Sequence, residues 1–146
     1  MFHGRANLNL DSKGRLAIPA RYHQDLASAC ERRLVVSAFS RECLQIYPWP
    51  VWDALNAKLL SRTNVNPEIR KLQRQLIGHA QDVEMDASGR ILISPELRSH
   101  AGLDKSVALI GMGSKFELWD PARLDEEIGD PVDFGSIGDE LGDVSL

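Results

Sequence analysis

Leu8 and Leu10 flank a single polar residue, and about 75 residues later Val83 and Met85 do the same. That alternation is the period of a strand that buries one face. A second apolar run follows each pair, Leu16-Ala17-Ile18 in the first copy and Ile91-Leu92-Ile93 in the second, and these read as return strands of tight hairpins. A proline then opens a short helix. Pro19 precedes Ala20 to Leu26, while Ser94-Pro95-Glu96 supplies an N-cap, a proline whose missing N–H costs nothing in the first turn, and an acid near the positive helix end. Two further apolar runs complete each copy: Leu34-Val35-Val36-Ser37 with Leu44-Gln45-Ile46-Tyr47-Pro48, and Val107-Ala108-Leu109-Ile110 with Phe116-Glu117-Leu118-Trp119-Asp120. The order strand, turn, strand, short helix, strand, strand thus occurs twice. A period this long exceeds a solenoid unit and indicates a duplicated half-domain; 146 residues suffice for two halves to share one core.

Between the copies the apolar spacing becomes helical. Pro48-Trp49-Pro50 introduces Val51, Trp52, Leu55, Leu59 and Leu60, and Asn66-Pro67-Glu68 starts a second helix with Ile69, Leu72, Leu76 and Ile77 on one face. Arg70, Lys71 and Arg74 lie off that stripe and read as a solvated face, with a subunit contact or a phosphate contact as the alternative. A shorter helix is predicted from Asp120 to Ile128, and the Gly- and Asp-rich remainder has too few apolar anchors to be well ordered. The predicted organisation is a first half-domain over 1–50, linking helices over 51–80, a second half-domain over 81–123, and an acidic, partly disordered tail over 124–146.

Charge sharpens this division. The formal net charge is −4, yet eight acids and no base lie from Leu124 onward, so the rest of the chain carries all 17 Lys and Arg against 13 acids. A basic body carries an acidic tail. Cys30 and Cys43 lack a C-x-x-C spacing and the four histidines are scattered, so buried free thiols are expected and neither a disulfide framework nor a metal site. No apolar stretch approaches the ~20 residues of a membrane span and the first residues do not read as a signal peptide, which predicts a soluble, cytoplasmic protein with no membrane partner. G-x-S-x-G, G-x-x-x-x-G-K-[ST] and H-E-x-x-H are all absent, and a hairpin tip offers Asp11 no dry pocket beside Lys13 or Arg15. No enzyme, cofactor or small-molecule substrate is expected.

The turns between the paired strands carry the remaining chemistry. Asp11-Ser12-Lys13-Gly14-Arg15 returns as Asp86-Ala87-Ser88-Gly89-Arg90. Asp11 and Asp86 are suited to bond backbone N–H groups two residues on, and Gly14 and Gly89 to take a positive φ. The major groove of B-DNA admits a two-stranded ribbon, in which an Arg can give paired hydrogen bonds to guanine O6 and N7 while Lys meets phosphate as a mobile charge. Lys13, Gly14 and Arg15 form the leading candidate contact, the glycine allowing close approach of the backbone. Ser88, Gly89 and Arg90 form a weaker copy with one charge fewer.

Phe2, the run from Asp11 to Pro19, Leu44 to Pro48 with Trp52, Asp86 to Arg90, and Lys115-Phe116-Glu117-Leu118-Trp119 together resemble the MraZ family of bacterial transcriptional regulators over about residues 1–123. The resemblance implies an α+β fold: two pseudo-symmetric, AbrB-like swapped-hairpin half-domains forming a β-barrel-like core, with linking and C-terminal helices. It also implies a homo-oligomeric ring on the nucleoid. Such a ring represses the division and cell-wall gene cluster containing its own gene by binding direct-repeat boxes in promoter double-stranded DNA. Carried over, Lys13 and Arg15 are the leading DNA contacts and Arg90 the second, with Asp11 and Asp86 holding the turns. An antitoxin-like or scaffold protein that wraps a partner with its acidic tail is the competing expectation. The second complete hairpin half stands where such a tail would begin.

Overall fold

The computed structural model describes residues 1–62 and 66–146; residues 63–65, inside the linking segment, lie outside the described residues. The first half contributes β1 (Arg5–Asn9), β2 (Arg15–Ala17), a 3-10 turn (Ala20–Tyr22), α1 (His23–Cys30), β3 (Arg33–Ser37) and β4 (Cys43–Pro48). The linking helices are α2 (Trp49–Leu60) and α3 (Pro67–Gly78). The second half repeats the order with β5 (Gln81–Glu84), β6 (Arg90–Leu92), α4 (Pro95–His100), β7 (Ser106–Gly111) and β8 (Phe116–Trp119), followed by α5 (Pro121–Ile128) and α6 (Phe134–Leu141). The capping predicted for the second copy is present: Ser94 accepts from the Leu97 N–H at 3.2 Å.

Pairing is where the two halves exchange partners. The six-stranded sheet runs β1-β7-β8-β4-β3-β5, so each half's first strand pairs with the other half's third strand, Leu8 opposite Val107 and Leu34 opposite Val83. The return strands behave likewise. β2 pairs with β6 in a separate two-stranded ribbon, with Leu16 opposite Ile91, instead of pairing with its own arm as a simple hairpin would. This order is unchanged when the halves are interchanged, which places a pseudo-two-fold axis between β4 and β8 and through the ribbon. The expected barrel-like core is corrected: β1 and β5 are edges that do not meet, so the sheet stays open.

Alternation along the strands sorts the side chains into layers. Leu34, Val36, Leu44, Ile46, Val107, Leu109, Phe116 and Leu118 point to one face, where they meet Leu16 and Ile91 of the ribbon, Leu26 of α1 and Leu97 of α4. Phe2 closes this core at one end, its ring 4.3 Å from Phe116. On the other face Val35 and Tyr47 pack with Trp52 of α2 and Leu76 of α3, while Ala108 and Trp119 pack with Leu124 of α5. Both faces of the four inner strands are therefore covered. That explains why these strands read as near-continuous apolar runs while β1 and β5 alternate.

The linking helices dock by their predicted stripes, although Leu60 and Leu72 stay exposed at 57% and 37%. Asn66 accepts from the Glu68 N–H at 2.9 Å and caps α3. Leu124 is buried, so the core extends past the 123/124 boundary into α5, and Arg5 of β1 meets Asp125 at 2.6 Å. The tail carries a helix, α6, with no buried residue. Cys30 and Cys43 are buried free thiols, as expected, and burial pushes the Cys43 thiol up to about 12.

Candidate nucleic-acid interface

Each turn is closed by one aspartate. Asp11 accepts from its own turn's Lys13 and Arg15 N–H groups at 2.9 and 2.8 Å, and its second oxygen accepts from Arg15 Nε at 2.6 Å. Asp86 repeats the pattern with Ser88 N, Arg90 N and Arg90 Nε at 2.9, 2.9 and 3.1 Å. The Arg15 N–H does most to hold the Asp11 carboxyl below its usual 3.8, outweighing desolvation that pushes it up; the Arg15 guanidinium and Lys13 N–H add to the lowering. The Arg90 N–H does the same for Asp86, helped by the Arg90 guanidinium against partial desolvation. Both turns stay closed above the ordinary carboxylate range. The carboxylates' contribution to holding the turns is lost as pH falls through the lowered values, because only the ionised carboxylate serves all these donors.

Using Nε on the aspartate leaves Nη1 and Nη2 of Arg15 and Arg90 without an intramolecular partner among the described residues. The two ends of a guanidinium fork can donate in parallel to a pair of acceptors. The ribbon register puts Arg15 opposite Leu92 and Ala17 opposite Arg90, with Leu16 and Ile91 buried between them. All four flanking side chains consequently share the outward face. The two arginines sit diagonally across the pseudo-dyad, their backbone positions about 7–8 Å apart, which spans about two base-pair steps of B-DNA. Lys13, Ser12, Ala87 and Ser88 are exposed on the adjoining turns.

The duplication is also visible in how the chain matches its family. The family model described as MraZ protein, antitoxin-like, matches residues 1–75 and again residues 76–126. The chain belongs to the MraZ family. It is 53% identical, over the full length of both chains, to the transcriptional regulator MraZ of Nitrosomonas europaea. It is 58% identical to that of Nitrosomonas eutropha over 88% of this chain and 86% of the relative. The transcriptional regulator MraZ of Thioalkalivibrio sulfidiphilus is 53% identical over 82% of this chain and 80% of its own.

Within this MraZ-family fold the glycines also serve a packing role that the sequence reading did not include. Gly14 and Gly89 do take positive φ, +82° and +81°, but both are buried. A Cβ on Gly14 would lie 2.7 Å from Cζ of Arg98, and one on Gly89 would lie 2.2 Å from Cε1 of His23. A side chain from the opposite half fills the space beside each glycine. Arg98 is anchored by Nε on the Ile93 carbonyl at 3.1 Å, and His23 by Nε2 on the Ile18 carbonyl at 2.6 Å. Backbone bonds add to this cross-bracing, with Ile18 N–H donating to Gly89 O and Ile93 N–H to Gly14 O, both at 2.9 Å.

Sequence reasoning missed His23 and Arg98. The available signal was their matched position five residues after Ile18 and Ile93, which is visible once the copies are aligned. They deepen the inequality of the tips: Lys13 and Arg15 are backed by the permanent cation Arg98, Ser88 and Arg90 by an imidazole. Beside the first tip, Arg98 and Lys105 also line an open cleft of about 370 Å³ with Asp11, Ser12 and Asp104.

Proposed function

We propose that this chain is a non-enzymatic, DNA-binding transcriptional repressor that lays the β2–β6 ribbon in the major groove. One observation carries the reading: the outward ribbon face presents two arginines, each oriented by its own aspartate with the fork ends open. Arg15 and Arg90 read guanines. Lys13 meets phosphate, with Arg98 and Lys105 flanking the strand beside it. Ser88 makes at most a neutral phosphate contact, while Gly14 and Gly89 shape the turns.

A ribbon of this size covers only a few base pairs, so one subunit binds weakly. Linking copies in a homo-oligomeric ring would raise avidity by about 10²–10⁴ without new contact types. Head-to-tail copies repeat one contact in one direction and suit direct repeats, spaced about one helical turn, ~34 Å, apart. We expect those boxes in the promoter of the division and cell-wall cluster that includes the chain's own gene, as the family resemblance implies. Among the described residues no helix is long and apolar enough to cross a membrane.

Footprinting on DNA upstream of the gene should show evenly spaced protection, and affinity should fall steeply with salt as phosphate contacts release counterions. Affinity indifferent to salt would favour the partner-wrapping alternative, for which the acidic tail and unburied α6 would supply the surface.

The aspartates offer a test in which two physical effects oppose each other. Asp11→Asn adds one positive charge, which by simple attraction should strengthen binding. It also removes the anionic partner that aims Arg15. The expected result is weaker binding, by about tenfold, the scale of one misplaced charged hydrogen bond; a gain in affinity measured by fluorescence anisotropy would show that Arg15 needs no clamp.

A further inference from the structure

The ribbon face holds one group that hydrogen bonding does not explain. Leu92 projects from β6 directly opposite Arg15 and is 51% exposed, although its neighbours Ile91 and Ile93 are 1% and 0% exposed. Its pseudo-equivalent is Ala17, which lies opposite Arg90 and carries a far shorter side chain. The duplication therefore supplies a control within the fold. The same ladder position tolerates a methyl group in one half, so packing does not require the leucine in the other.

We propose that Leu92 contacts the 5-methyl group of a thymine within about two base pairs of the base read by Arg15. The inference rests on the proposed major-groove docking of the ribbon. In that groove each base pair offers hydrogen-bond donors and acceptors, and the thymine methyl is the one methyl group on the base edges. A leucine beside a guanidinium whose fork is directed at base acceptors is carried to the same depth. Facing any other base edge it would desolvate a polar group without returning a hydrogen bond, which is itself discriminating. The positive charge of Lys13, Arg15 and Arg90 surrounding this apolar tip fits a polyanion with apolar points on its bases. It does not fit a protein partner that would seat the leucine in a greasy pocket.

The test uses the full-length protein and its protected upstream DNA, with thymines replaced one at a time by deoxyuridine, which deletes only the methyl. Wild-type protein should lose about fourfold in affinity at one thymine per box, the worth of one buried methyl group. Leu92→Ala should bind unsubstituted DNA more weakly by at least that factor and lose nothing further at the same thymine. Arg15→Ala on the same DNA separates the two levels of the argument. If it binds like wild type, the ribbon docking itself is wrong. If it fails to bind while wild type is indifferent to every deoxyuridine, the docking stands and the Leu92 contact is refuted. Additive losses in Leu92→Ala would also refute it, as would collapse of the oligomer in size-exclusion chromatography, which would assign Leu92 to a subunit contact.

Discussion

Arg15→Ala is expected to abolish detectable binding to the upstream DNA while leaving the fold and the oligomer intact. A bidentate Arg–guanine pair is worth about 1–3 kcal/mol, and the loss repeats in every engaged copy, so an oligomer multiplies it beyond the reach of a gel shift. The Arg15 side chain is only 31% exposed, but its partner is the aspartate of its own turn and it spans no two layers of the core. Its removal leaves the Asp11 bonds to the Lys13 and Arg15 N–H groups in place. Size-exclusion chromatography and gel shift on the same sample decide the matter; dissociation would make Arg15 structural. Arg90→Ala should cost less, because its turn has Ser88 where the first has Lys13, and His23 behind it where the first has Arg98. Equal losses would show the tips to be equivalent.

Gly89→Ala should be strongly destabilising. The backbone at φ +81° already disfavours a Cβ, and the new carbon would sit 2.2 Å from His23 Cε1. The imidazole cannot simply swing away, since Nε2 is held on the Ile18 carbonyl. Left-handed strain and overpacking together should cost about 2–5 kcal/mol, read as a lower urea midpoint with an unchanged slope. Adding His23→Ala should recover the overpacking part and leave the strain. Recovery by a change in the first half of a defect in the second would measure the exchange between halves directly. A double variant no better than Gly89→Ala would mean that the clash is absorbed elsewhere.

The duplicated pattern was legible because each half must bury the same faces. Leu8/Leu10 and Val83/Met85 declare half-buried strands, Asp11 and Asp86 declare their turns, and Ser94 and Asn66 cap the helices they precede. Strand partners were not legible. The period of β2 is satisfied equally by pairing with β1 or with β6, since either ladder buries Leu16 and exposes Ala17. The open sheet goes with that choice, because β2 and β6 pair with each other and leave the outer edges of β1 and β5 without a neighbouring strand. Tail helix α6 also escaped the sequence reading, its spacing being too diluted by glycine to stand out.

The residues alone determined that two Asp-closed turns each carry an arginine and that one turn carries more charge than the other, because local bonding within five residues suffices for both. Tertiary structure alone decided that the arginines lie diagonally on one ribbon, that Gly14 and Gly89 are roofed by Arg98 and His23, and that Leu92 stands out beside Arg15. Each of these depends on groups about 75 residues apart in the chain, brought together only when the halves exchange strands. No periodicity in the sequence encodes which of two equally apolar strands a third will choose.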